Sequence, residues 1–78
     1  MTQTEVPALA LAMPAHIARL FVNADASGDP SDMNHAMMSA KRAHVADVRP
    51  YYVAAAKGDR AGAMRAIVVI VATARKAA

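Results

Sequence analysis

Three histidines, three serines and six carboxylates are the side chains in this 78-residue sequence that could carry acid–base or nucleophilic chemistry. The histidines are His16, His35 and His44, and none stands in a His-Glu-x-x-His pair that would offer a metal two ligands and a base. Glycine-rich phosphate loops and strained nucleophile turns are likewise missing from the sequence. Ser27, Ser31 and Ser39 have no histidine at a spacing suited to activating a hydroxyl. The absence of cysteine excludes disulfides and thiolate metal sites. Most of the carboxylates fall where helix ends explain them, because a negative charge near a helix N-terminus is favourable. The expectation is a non-enzymatic protein with no cofactor and no metal centre.

One stretch departs from this scatter. Asn23, Asp25, Ser27, Gly28, Asp29, Ser31 and Asn34 stand at the spacing of positions 1, 3, 5, 6, 7, 9 and 12 of a calcium loop. In this spacing the stretch resembles an EF-hand, and the resemblance implies oxygen ligands converging on a hard cation between two helices. Three positions depart from that pattern. Asn23 replaces the first aspartate, Asn34 replaces the bidentate glutamate, and Pro30 occupies an apolar position. The departures favour a helix-capping turn, so calcium is not expected as a partner. Further on, Gly58-Asp59 with Ala63, preceded by Tyr51, Ala54 and Ala55, resembles the turn of a tetratricopeptide-type helical hairpin. It covers well under one repeat and implies only two helices folded back on each other.

The remaining candidates are binding residues. Lys41 and His44 fall within the apolar stripe of the second long helix, as does Asn34. A charge there marks either an interface hot spot or a stem that packs while its ammonium reaches water. His35, Arg42 and Arg49 recur every seven residues, and Arg65 and Lys76 could extend a basic surface near Tyr51 and Tyr52. Cations neutralise phosphates and aromatics stack on bases, but the same spacing describes an ordinary solvated helix face. Val69 is the candidate apolar contact on the last helix.

Prolines and glycines mark out the elements that must position these residues. Pro14 can open a helix in which Ile17, Leu20, Phe21 and Ala24 form one stripe, opposite His16, Arg19 and Asn23. Upstream, Pro7 to Met13 fits a short helix kinked at Pro14 or, by its alternation, a strand. The Asp25–Ser31 segment is expected as a loop, with Asp29 or Ser31 capping a second helix that runs to about Val48. That helix would place Met33, Met37, Ala40, His44 and Val48 on one face. Pro50 opens a short third helix, which Gly58 ends, and Asp59 caps a fourth over about Arg60 to Arg75. There Ala63, Met64, Ile67, Ile70, Val71 and Ala74 form a broad apolar side, and Val68 and Val69 extend it. A helix apolar around most of its circumference is expected at the centre of a bundle. The β-branched run Ile67–Val71 opposes this, since such runs favour strands. The fold expected is all-α: a single domain over 1–78, a small compact bundle of three to four helices. The lesser alternative is α+β with a short two-stranded element.

Composition then bounds the function. The chain is 56% hydrophobic, but much of that is alanine, which buries little surface per residue. At this size one core supplies only about 3–5 kcal/mol, so burial against a partner protein or a second copy is expected. Up to Asp32 there are four carboxylates against Arg19. From Met33 onward eight basic residues face Asp47 and Asp59. Such a basic half attracts nucleic acid or an acidic surface. The nine-residue run Ala66–Ala74 is far short of the about 20 residues of a membrane span, and the N-terminal apolar run lacks a preceding positive charge, so no span is expected and the location expected is cytoplasmic. Together these point to a small regulator or inhibitor that occupies a surface of a larger protein, a size class that includes phage-type inhibitors such as anti-CRISPRs. The alternative is a small basic nucleic-acid-binding protein.

Overall fold

The computed structural model describes residues 8–78 as an all-α bundle. Four helices follow in order: α1 (Ala15–Ser27), α2 (Pro30–Arg42), α3 (Arg49–Ala56) and α4 (Arg60–Ala77), with a 3₁₀ turn at Ala46–Val48 before α3. The expected class and helix count are therefore those observed. α1 packs against α2 and α4, and α3 folds back on α4.

Alanine makes this packing close. Ala18, Ala24, Ala36, Ala40, Ala66 and Ala74 are buried, so helix backbones approach where larger residues would hold them apart. Phe21, fully buried, is the largest side chain of the core, joined by Ile17, Met37, Val45, Val48 and Ile70. No polar or charged side chain is buried among the described residues.

The N-terminal segment is neither of the two elements expected. Pro7 lies outside the described residues, and from residue 8 to Pro14 the chain contains no helix. Leu11 forms one isolated parallel bridge to Val45. The N–H groups of Ala10 and Leu11 donate to the His44 carbonyl (3.1 and 2.8 Å), and Ala46 N–H donates to the Leu11 carbonyl (2.6 Å). Leu9 and Met13 are buried beneath this strap. The β-branched run Ile67–Val71 lies within α4 instead of pairing with it, because Ile70 and Val71 gain burial on the helical face that meets the core.

Two helix boundaries also differ. The expected Asp25–Ser31 loop contracts to Gly28 and Asp29, since α1 continues to Ser27 and Gly28 ends it at φ 69°. α2 stops at Arg42, six residues short of Val48. His44 takes a left-handed φ of 59°. Its N–H donates to the Lys41 carbonyl (3.1 Å), and Val45 N–H donates to that of Ala40 (3.0 Å). Those two bonds make a Schellman ending, with Val45 packed into the core as its apolar contact. The same motif ends α3, where Gly58 (φ 72°) and Asp59 donate to Ala55 and Ala54 (3.1 and 2.9 Å). This is the tight hairpin turn expected at Gly58-Asp59.

Candidate interaction surface

The outer face of α4 is built from residues that a helix would ordinarily bury. Asp59 starts the helix, its Oδ1 accepting from Gly62 N–H at 2.8 Å. That cap fills the space beside Gly62, where a Cβ would collide with the Asp59 carboxylate. Arg75 and Lys76 occupy the last turn, where positive charge complements the helix dipole. Ala66, Ile70, Val71 and Ala74 point into the bundle. On the other side Met64, Val68 and Val69 are 63%, 69% and 64% exposed, with Ala61 and Ala72 exposed beside them.

The expectation that α4 is the enclosed central helix is therefore corrected. α1 and α3 cover one side only, and α2 does not pack on α4 among the described residues. At 100° per residue, Ala61, Met64, Val68 and Ala72 fall in one stripe, about 16 Å long at 1.5 Å per residue. Arg65, Val69 and Lys76 flank it on one edge, and Arg60 lies beyond Met64 on the other. α4 contains four basic residues and no carboxylate. Arg75 pairs with Asp25, both groups exposed.

An open groove borders each edge of this stripe. Toward α2, Met33, Met37, Tyr51, Met64 and Ile67 line one of about 570 Å³, with Asp25, Asp29 and Arg60 at its rim. Toward α3, Val53, Ala66, Val69 and Ile70 line another of about 550 Å³, with Arg49, Lys57 and Arg65 among its polar residues. Methionine suits such a surface, because its flexible thioether adapts to differently shaped partners.

Of the residues singled out from sequence, Val69, Arg65 and Lys76 lie together on this face and are exposed. The others are elsewhere. Lys41 is half-buried, with its Nζ 5.2 Å from the centre of the Tyr52 ring. His44 is not in a helical stripe but exposed in the turn after α2, because α2 ends earlier than its apolar pattern suggested. His35 and Arg42 are exposed on α2, whereas Arg49 belongs to α3 and donates from Nη2 to the Leu9 carbonyl at 3.0 Å. The seven-residue repeat His35, Arg42, Arg49 thus makes no continuous face. Met64 and Val68 were not singled out, and the signal for them was the near-uniform apolarity of α4 itself.

The calcium-type spacing does not form a loop. Asn23 lies inside α1 and Asn34 inside α2. The acids between them have other partners: Asp25 meets Arg75, Asp29 Oδ1 accepts from Ser31 N–H (2.9 Å), and Asp32 Oδ2 lies 2.7 Å from Ser27 Oγ. Among the described residues no group of three or more histidines or carboxylates is placed to hold a metal ion. No helix of the described residues is long and apolar enough to cross a membrane.

No protein-family model matches this chain, and neither a curated protein nor a solved structure matches it.

Proposed function

We propose that this protein is a non-catalytic binding module that acts by seating the outer face of α4 on another protein. The observation that carries this is the line of exposed apolar side chains Met64, Val68 and Val69 on one helix, three of the five large apolar residues exposed among the described residues. Scattered exposed apolar residues are ordinary on a protein surface, whereas a contiguous patch rimmed by polar groups is the usual mark of an interface. A thin, alanine-rich core adds a thermodynamic reason, since binding to the native state stabilises a marginal fold by mass action. A regulator or inhibitor of a larger protein is the role that fits this size and surface.

The test is a tagged capture from lysate of the source cells, with nuclease-treated and untreated halves, comparing the wild type with Val68→Glu. A stoichiometric protein that survives nuclease and disappears with Val68→Glu supports the reading. Equal capture by both proteins refutes the α4 face.

Nucleic-acid binding is the second reading, and the absence of any carboxylate from α4 favours it. Phosphate contacts release counterions, so affinity would fall steeply with salt. Arg42→Glu is the clean probe on α2, because Arg49→Glu also removes the bond to Leu9.

A further inference from the structure

Resting on the reading of α4 as the binding face, we infer that its occupant is an acidic amphipathic helix of a partner protein. The shape of the stripe is the first argument. Ala61, Val68 and Ala72 recur at seven and eleven residues, a spacing that keeps a seam straight along an α-helix. Small side chains on that seam let a second helix lie close, as in helix–helix packing at about 8–10 Å. Met64 and Val69 bound the seam and supply apolar contact on either side.

Charge chooses the partner. Arg65 and Lys76 flank one edge and Arg60 lies toward the other, and among the described residues none of the three has a carboxylate partner. Of the nearby acids, Asp59 caps the helix and Asp25 pairs with Arg75, while Asp47 lies at the far wall of the groove that Arg65 borders. Residues flanking an apolar seam select partners by charge, so the complement carries glutamate or aspartate there. A second copy does not supply this. Antiparallel pairing about Val68 sets Arg60 against Lys76 and offers Arg65, opposite Val71, no carboxylate, and parallel pairing sets each cation against itself.

The same face is poorly made for the other anionic surfaces. Helices that lie in a membrane interface present tryptophan, phenylalanine or leucine, and this face presents valine, alanine and one methionine. A nucleic-acid groove would place cations at its centre and aromatics within reach of bases. Here the centre is Val68, while Tyr52 lies beneath Lys41.

Fluorescence anisotropy with two synthetic helical peptides tests the inference. Both carry leucine and alanine at three- and four-residue spacing, one flanked by glutamate and the other by lysine. The acidic peptide is expected to bind at least about tenfold more tightly at low salt, with the gap closing as salt screens the charges. Arg65→Glu/Lys76→Glu removes the preference, and Val68→Glu abolishes binding while circular dichroism remains native. Equal affinity for the two peptides, or no binding of either, overturns the acidic-helix inference. Where binding occurs, loss with Val68→Glu retains the α4 face, and binding unchanged by Val68→Glu refutes the face itself. Tighter binding to duplex DNA or to phosphatidylserine vesicles than to the acidic peptide also overturns the inference, as does a micromolar dimer in sedimentation that Val68→Glu disperses.

Discussion

The ammonium of Lys41 sits 5.2 Å from the centre of the Tyr52 ring, and the Tyr52 hydroxyl donates to the carbonyl of Met37 at 3.3 Å, one turn earlier on α2. α3 is thereby fastened to α2 by a single tyrosine that supplies both a π-face and a hydroxyl. Lys41 is accommodated within the apolar stripe with its charge over the Tyr52 ring. A cation over an aromatic face contributes about 0.5–1 kcal/mol at an exposed site. A double-mutant cycle with Lys41→Met and Tyr52→Leu, read by urea denaturation, is expected to give a coupling energy in that range. Additive effects would remove the pair from the account.

Tyr52 also predicts an alkaline instability. Burial raises its hydroxyl above the ordinary 10.0, and the neighbouring Tyr51 adds to the rise. The folded state therefore prefers the neutral phenol. The stabilisation this gives is fully present below the unfolded value and is lost as pH rises through the folded one. Denaturation midpoints should fall more steeply above about pH 10 for the wild type than for Tyr52→Phe. Parallel decline in both proteins would contradict the assignment.

His44 holds a left-handed backbone, with its side chain in solvent. Glycine has no steric penalty in this conformation and is the usual residue in a Schellman ending. His44→Gly is expected to stabilise the fold by about 1 kcal/mol, or about 4–8 °C in Tm for a domain of this size. His44→Val should destabilise it, since β-branched residues tolerate positive φ worst. Thermal melts of the two variants should move in opposite directions.

Arg49 ties the strap to the bundle through the Leu9 carbonyl. Replacing it with glutamine or methionine should leave the four helices intact while loosening residues 8–13. Hydrogen exchange provides the test: the Leu11 and Ala46 amides should exchange several-fold faster, whereas Phe21 and Ile70 amides should not change. Uniform acceleration would mean that Arg49 supports the whole fold and not the strap alone.

Much of the fold was legible because its punctuation is local. Asp29 and Asp59 cap helices through their own side chains, and Gly58 turns the chain between α3 and α4 as its residue type implies. The end of α2 was not legible. Its apolar pattern continues to Val48, and only the structure shows the chain turning at His44, where the amides of His44 and Val45 close the helix on Lys41 and Ala40. Arg49 was misplaced for the same reason. On α4 the periodicity identified a helix apolar on nearly all sides, and only the positions of α1 and α3 reveal which side they cover. Val69, Arg65 and Lys76 were read from sequence as surface residues, and Val68 and Met64 join them only because α2 does not pack on α4.

The strap has a consequence for the order in which the chain folds. Arg49 and Leu9 are forty residues apart, and Leu11 reaches Val45 across α1 and α2. Closing so long a loop is entropically costly until the intervening helices have formed, whereas the α3–α4 hairpin needs only local contacts. The strap is thus the last part to dock and the first to release. The buried side chains Leu9 and Met13 close the base of the core from a segment that contains no helix of its own.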